Sequence, residues 1–166
     1  MWINDIYRGV YWLQEEMDEN FIQARYEFPN GNFYRNGAPG AFFGYLGDNP
    51  ETYKNLSVFN RGELSNVYEQ ESGNGYFDDL TQFIQVLNIS NNRDFAEKIV
   101  QVFDVDRYLR ALAVEVFTIN TDSYHRNGNN WCLYKNPETD LFEVIRENLS
   151  VLIFFLSFLD MILILQ

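Results

Sequence analysis

The chain has 166 residues, a net charge of −12, 46% hydrophobic and 17% aromatic residues, and a single cysteine. Such a composition can bury a core and is not that of a disordered segment. The acidity argues against a nucleic-acid or anionic-membrane partner, since both need Lys/Arg patches to meet phosphates. The lone Cys132 leaves no intrachain disulfide and no zinc cluster.

Met1 is followed at once by Trp2-Ile3-Asn4, with neither a basic n-region nor an apolar h-region, so no signal peptide is visible. Asn-x-Ser sequons at Asn55, Asn88 and Asn148 are compatible with a secreted protein but arise easily by chance in an Asn-rich chain. Met1–Ile3 and Tyr7–Gln14 flank Asn4-Asp5 and are rich in aromatic and β-branched residues, which predicts two strands joined by a tight turn. Asp18 is placed to cap a short helix from Glu19 to Arg25. Glu15 and Glu16 are adjacent on a strand end, where side chains point apart, so a glycosidase-like carboxylate pair is disfavoured against a charged strand end.

Residues 29–40 are dense in Gly and Pro and are expected to form a loop; without GxxxxGK[ST] and without a lysine they are not a P-loop. Residues 41–66 are expected to be loops with a short helix near Pro50–Leu56. Phe77 to Val86 is predicted helical, with Asp78 and Asp79 favourable to its dipole and Leu80, Phe83, Ile84 and Leu87 on one face. Asn92 is expected to cap a second helix running to Phe103, and Asp104 a third. The third carries Val105, Tyr108, Leu109, Leu112, Val116 and Phe117 as a wide apolar stripe, which predicts burial on at least one side.

The chemistry gathers after that third helix. Asp122 stands in a polar loop, with Asn127, Asn129 and Asn130 just before the apolar strand Trp131-Cys132-Leu133-Tyr134 and a hairpin returning through Val144-Ile145-Arg146. A carboxylate after a helix, with a carboxamide a few residues on, can position a hydroxyl and hold a divalent metal, as in protein kinases. His125, the only histidine, sits near Ser123 and Cys132 and invites a hydrolase reading. A nucleophile and base two residues apart in a loop have no defined geometry, so His125 and Ser123 are read as loop residues and Cys132 as core.

Asp104, Asp106, Leu109, Leu112, Ala113, Asp122, Tyr124, Asn130, Leu133 and Tyr134 match the pattern of the spore coat protein H (CotH) kinase family, which the stretch resembles. Gly9, Tyr11, Leu13 and Glu15 match its G-x-Y-x-L-x-E segment, Gly31 to Arg35 its G-N-L-Y-K motif, and Asp48 and Tyr53 a structural D-x-x-x-x-Y pattern. The resemblance implies an α+β, incomplete protein-kinase-like fold over residues 1–146: a small-lobe hairpin and hinge, then a mainly helical large lobe. It implies ATP and Mg2+ as cofactors, Asp122 as catalytic base, Asn130 as metal ligand, and Glu15 and Met17 in the hinge that holds adenine. The substrate it implies is Ser/Thr of a coat, surface or secreted protein, with the full-length protein secreted or on the cell surface. A non-catalytic adhesion or scaffold module is the alternative.

A phosphate-covering loop, a strand lysine and its glutamate would lie before Met1, and the D-x-D expected near Glu147 reads Glu147-Asn148-Leu149-Ser150. The chain as written is therefore expected to be inactive. Residues 147–166 form an anomalous apolar tail. Its run Val151–Leu165 falls short of a bilayer span and carries Asp160, so a membrane partner is not expected, and a shifted reading frame or a read-through intron after Arg146 is the favoured explanation.

Overall fold

A computed structural model describes residues 1–9, 11, 15–89 and 91–146. The expectations for the tail lie outside these residues. The architecture is α+β, in the element order of an incomplete kinase-like fold.

The chain opens with a small hairpin, β1 (Trp2–Ile3) and β2 (Ile6–Tyr7). Asn4 and Asp5 both take positive φ at its turn (49° and 62°), as a two-residue primed turn demands. The predicted turn is correct, but β2 ends at Tyr7, whereas the sequence suggested a strand to Gln14. Helix α1 (Glu19–Arg25) follows, capped as expected by Asp18, which accepts from the Phe21 N–H at 3.1 Å.

The core is a four-stranded antiparallel sheet in the order β6-β3-β7-β8. Its strands are β3 (Phe33–Asn36), β6 (Tyr68–Ser72), β7 (Trp131–Asn136) and β8 (Leu141–Arg146). Here the loop expected over residues 29–40 is corrected, because β3 is an interior strand within it. Phe33 and Tyr34 are both fully buried, one on each face of the sheet, and neighbouring strands on both sides satisfy the backbone. The same alternation organises β7. Trp131 and Leu133 face a large aromatic cluster with Tyr34, Phe43, Leu80, Phe83 and Phe142, while Cys132 and Tyr134 face a smaller one with Ile22, Phe33 and Ile145. A strand buried on both faces has no polar side, so β7 reads as an apolar run.

Residues 41–66 contain the expected helix, α2 (Pro50–Lys54), and also an unforeseen hairpin of β4 (Ser57–Asn60) and β5 (Glu63–Asn66). Tyr53 is buried, its hydroxyl donating to Gly47 O and accepting from Leu46 N–H, both at 2.9 Å, in keeping with a structural role. Helix α3 (Asp78–Leu87) packs Leu80, Phe83 and Ile84 into the larger cluster. Burial of each such side chain is worth roughly 1.5–3 kcal/mol. Asp79, in its first turn, accepts from Asn32 Nδ2 at 2.8 Å and from the Tyr34 hydroxyl at 2.7 Å, which ties the helix to β3.

Helix α4 (Asn92–Ile99) is capped by Asn91 rather than Asn92, through a 3.0 Å bond from Arg93 N–H, and stops four residues short of Phe103. Helix α5 (Val105–Phe117) is capped by Asp104, as predicted, with Arg107 N–H at 2.9 Å. Its burial corrects the sequence reading: no residue of α5 is fully buried. Val105 and Tyr108 pack against the core cluster, but Leu109, Val116 and Phe117 are exposed, Phe117 to 86%. A cavity of about 260 Å³ lies beside α5, between Phe83, Phe103, Tyr108, Leu112, Leu133 and Val144. Among the described residues no helix is long and apolar enough to cross a membrane.

Candidate active site

The candidate loop begins at the C-terminus of α5. Ile119 N–H donates to Val116 O at 3.2 Å and Asn120 N–H to Glu115 O at 2.9 Å, a Schellman closure that stops the helix. That closure needs a left-handed residue, and it is Ile119 that supplies it, at φ 53°. A β-branched side chain there is strained, at a cost of about 1–2 kcal/mol. The chain then turns through Asn120, whose Oδ1 accepts from Asp122 N–H at 3.2 Å, into the single-turn helix α6 (Tyr124–Asn127). Gly128 ends α6 at φ 72°, its α-carbon so close to Gly40 that a Cβ would come within 3.1 Å of backbone. Asn130 is also left-handed, at φ 53°, a conformation that Asn tolerates better than most residues.

This path brings Asp122, Asn127, Asn129 and Asn130 together. Asn127 Nδ2 donates to Asp122 Oδ1 at 2.8 Å and Asn129 Nδ2 to the same oxygen at 3.1 Å. Asn130 Nδ2 donates to the Asp122 backbone carbonyl at 2.8 Å. Neutral donors on a carboxylate favour its ionised form, and the bonds from Asn127, then Asn129, hold the Asp122 carboxyl below its ordinary value of 3.8. Asp122 is exposed and makes no ion pair with a described residue, so its carboxylate is open to an approaching group.

The three asparagines differ in what their oxygens do. Asn127 Oδ1 accepts from Asn129 N–H at 3.2 Å, and Asn129 Oδ1 accepts from Gly40 N–H at 3.2 Å. Asn130 Oδ1 accepts no hydrogen bond from a described residue. In protein kinases the metal-binding Asn follows the Asp by five residues, a spacing that falls here on Asn127. Both ends of the Asn127 carboxamide are occupied, however, and Asn130 is the one with an oxygen to offer. Among the described residues no three His, Cys, Asp or Glu side chains converge on a point.

His125 meets both Ser123 Oγ, at 2.8 Å, and Glu115 Oε2, at 2.7 Å, through the same ring nitrogen, Nδ1. A relay needs one partner on each nitrogen, so this is not a Ser–His–acid triad. Ser123 is fully buried, and its hydroxyl donates to Asn120 O at 3.2 Å. Cys132 is core, as expected.

The hinge candidates lie elsewhere. Glu15 is exposed and paired with Arg25 at 2.5 Å. Met17 packs against the smaller cluster, whose Cys132 and Tyr134 belong to the strand that Asn130 leads into. Residues 15–17 form no regular element, and their backbone groups make no hydrogen bond to another described residue.

Residues 1–146 match the CotH kinase protein family, and the chain belongs to it. It is 33% identical over 141 residues to the inner spore coat protein H of Bacillus subtilis strain 168, an alignment that takes in 82% of this chain and 35% of that protein. The chain thus spans about a third of that relative's length.

Proposed function

We propose that this chain is the base-bearing part of a coat- or surface-associated CotH-type protein kinase, one that transfers the γ-phosphate of ATP to a Ser or Thr hydroxyl of a coat, surface or secreted protein. The observation that carries the reading is the Asp122 carboxylate, ionised and open, beside an Asn130 carboxamide whose oxygen accepts from no described residue. In this reading Asp122 aligns the acceptor hydroxyl and takes its proton. The donor chemistry fits a hard cation: Asn130 Oδ1 is an oxygen ligand of the kind Mg2+ prefers. When bound, Mg2+ supplies charge neutralisation at the phosphates. The backbone of Glu15 to Met17, which makes no hydrogen bond to another described residue, suits a hinge that pairs with the edge of an adenine ring.

Residues 1–146 contain no glycine-rich phosphate loop and no early-strand lysine, and no D-x-D follows the final hairpin, where Glu147-Asn148-Leu149-Ser150 stands, so turnover is not assigned to these residues alone. The test is a melting curve of the full chain with and without millimolar Mg-ATP, repeated with Asn130→Ala. A rise in melting temperature that Asn130→Ala abolishes supports the reading. No rise in either protein overturns it in favour of a non-catalytic surface module.

A further inference from the structure

Of Asn127, Asn129 and Asn130, it is Asn129 that hydrogen-bonds a distant part of the chain among the described residues. Its Nδ2 donates to Asp122 Oδ1 at 3.1 Å while its Oδ1 accepts from Gly40 N–H at 3.2 Å, 89 positions away in sequence. The segment it reaches, residues 36–41, begins at the last residue of β3, the interior strand. That segment is stitched to the same region at three further points. Asn36 Oδ1 accepts from Trp131 N–H at 3.2 Å, Ala41 O accepts from Trp131 Nε1–H at 3.2 Å, and the Gly128 backbone lies against Gly40 and Ala41. Asn127 has no such reach, because both its partners are within the loop.

We infer that Asn129 is a positioning residue that registers the Asp122 carboxylate against the central sheet, by joining Asp122 Oδ1 to the Gly40 amide through a single carboxamide. This rests on the reading of Asp122 as the base. Among the described residues the other side-chain donor to Asp122 Oδ1 is Asn127, which belongs to the same loop, entered through strained Ile119 and left through two left-handed residues, and so gives the carboxylate no direct tie to the sheet. With it, Oδ1 is fixed and Oδ2 is left to meet a hydroxyl.

The experiment is NMR of the full chain without nucleotide, following the Asp122 Hα–Hβ couplings, which report whether its side chain is held in one rotamer, and the Gly40 amide proton. The variants are Asn129→Ala, Asn129→Asp and Asn127→Ala. Asn129→Ala should average the Asp122 couplings and shift the Gly40 amide proton to the position of a solvated amide. Asn127→Ala should leave Gly40 where it was. Asn129→Asp keeps an acceptor for Gly40 but removes the donor to Asp122 Oδ1, so Gly40 should hold while the Asp122 couplings average. Should Asn129→Ala not fold, Asn129→Asp alone decides. Unmoved Asp122 couplings in the Asn129 variants overturn the inference, and so does a Gly40 resonance indifferent to Asn129→Ala. Since no nucleotide is present, these outcomes are independent of the Mg-ATP melting test.

Discussion

Two carboxylates, Glu143 and Asp122, lie on either side of the β7 strand in the chain and are held in opposite ways. Glu143 is buried in β8 and is met by the Arg107 guanidinium, by the Tyr26 hydroxyl at 2.9 Å and by Asn136 Nδ2 at 2.7 Å. Asp122 is exposed, and among the described residues its carboxylate is met by carboxamides alone. The first network cancels the charge and joins α1, α5 and the final hairpin. The second preserves the charge while restricting its orientation. A base needs the second treatment, because a guanidinium partner would lower its basicity and block the approach of a hydroxyl.

The contrast can be broken most forcefully at Glu143. Glu143→Leu leaves Arg107 and two polar groups without their acceptor and should destabilise the fold by about 3 kcal/mol, read by urea unfolding. A loss no larger than that of a surface substitution would mean the network is ornamental. At the entrance to the Asp122 loop the effect should be smaller and of opposite sign. Ile119→Gly relieves a left-handed isoleucine and should stabilise by about 1 kcal/mol in the same measurement. If instead it destabilises, the strain is not stored there.

Acid should separate the two carboxylates further. The Asp122 carboxyl is held below 3.8 in the folded protein, so its contribution to stability is complete above that value and is lost as pH falls through the lower folded value. Asp122→Asn removes this step, and the variant should lose less stability than the parent between pH 5 and pH 2 in melting experiments. At neutral pH the same substitution keeps an acceptor at Oδ1 and should change stability by no more than about 0.5 kcal/mol. A neutral-pH loss as large as that of Glu143→Leu would erase the distinction between the two sites.

Much of this arrangement was legible in the amino-acid order. The periodic apolar positions of α3, the cap at Asp104 and the apolar run of β7 each state their element locally, and the family pattern placed Asp122 and Asn130. Other elements were hidden for physical reasons. β3 has four residues between glycine-rich flanks, and only pairing on both sides makes it a strand. β6 reads YEQES and is polar because it is a sheet edge. The stripe on α5 announced burial, yet Leu109, Val116 and Phe117 are exposed, because periodicity reports what a face can bury and not what lies against it. Within the candidate site, spacing left three asparagines open. Only the direction of each carboxamide, and the distant Gly40 amide, tells them apart.

Cys132 gives the molecule a clock of its own. Its thiol is the only one in the chain and is fully shielded in β7, with Phe33, Tyr134, Ile145 and Ile22 around it. A thiol-reactive dye can reach it only when the central strands part from α1. The labelling rate in native buffer therefore counts the excursions of the sheet that Asn130 leads into, and no engineered cysteine is required. Comparing that rate with and without a candidate ligand would register binding even where no phosphate is transferred.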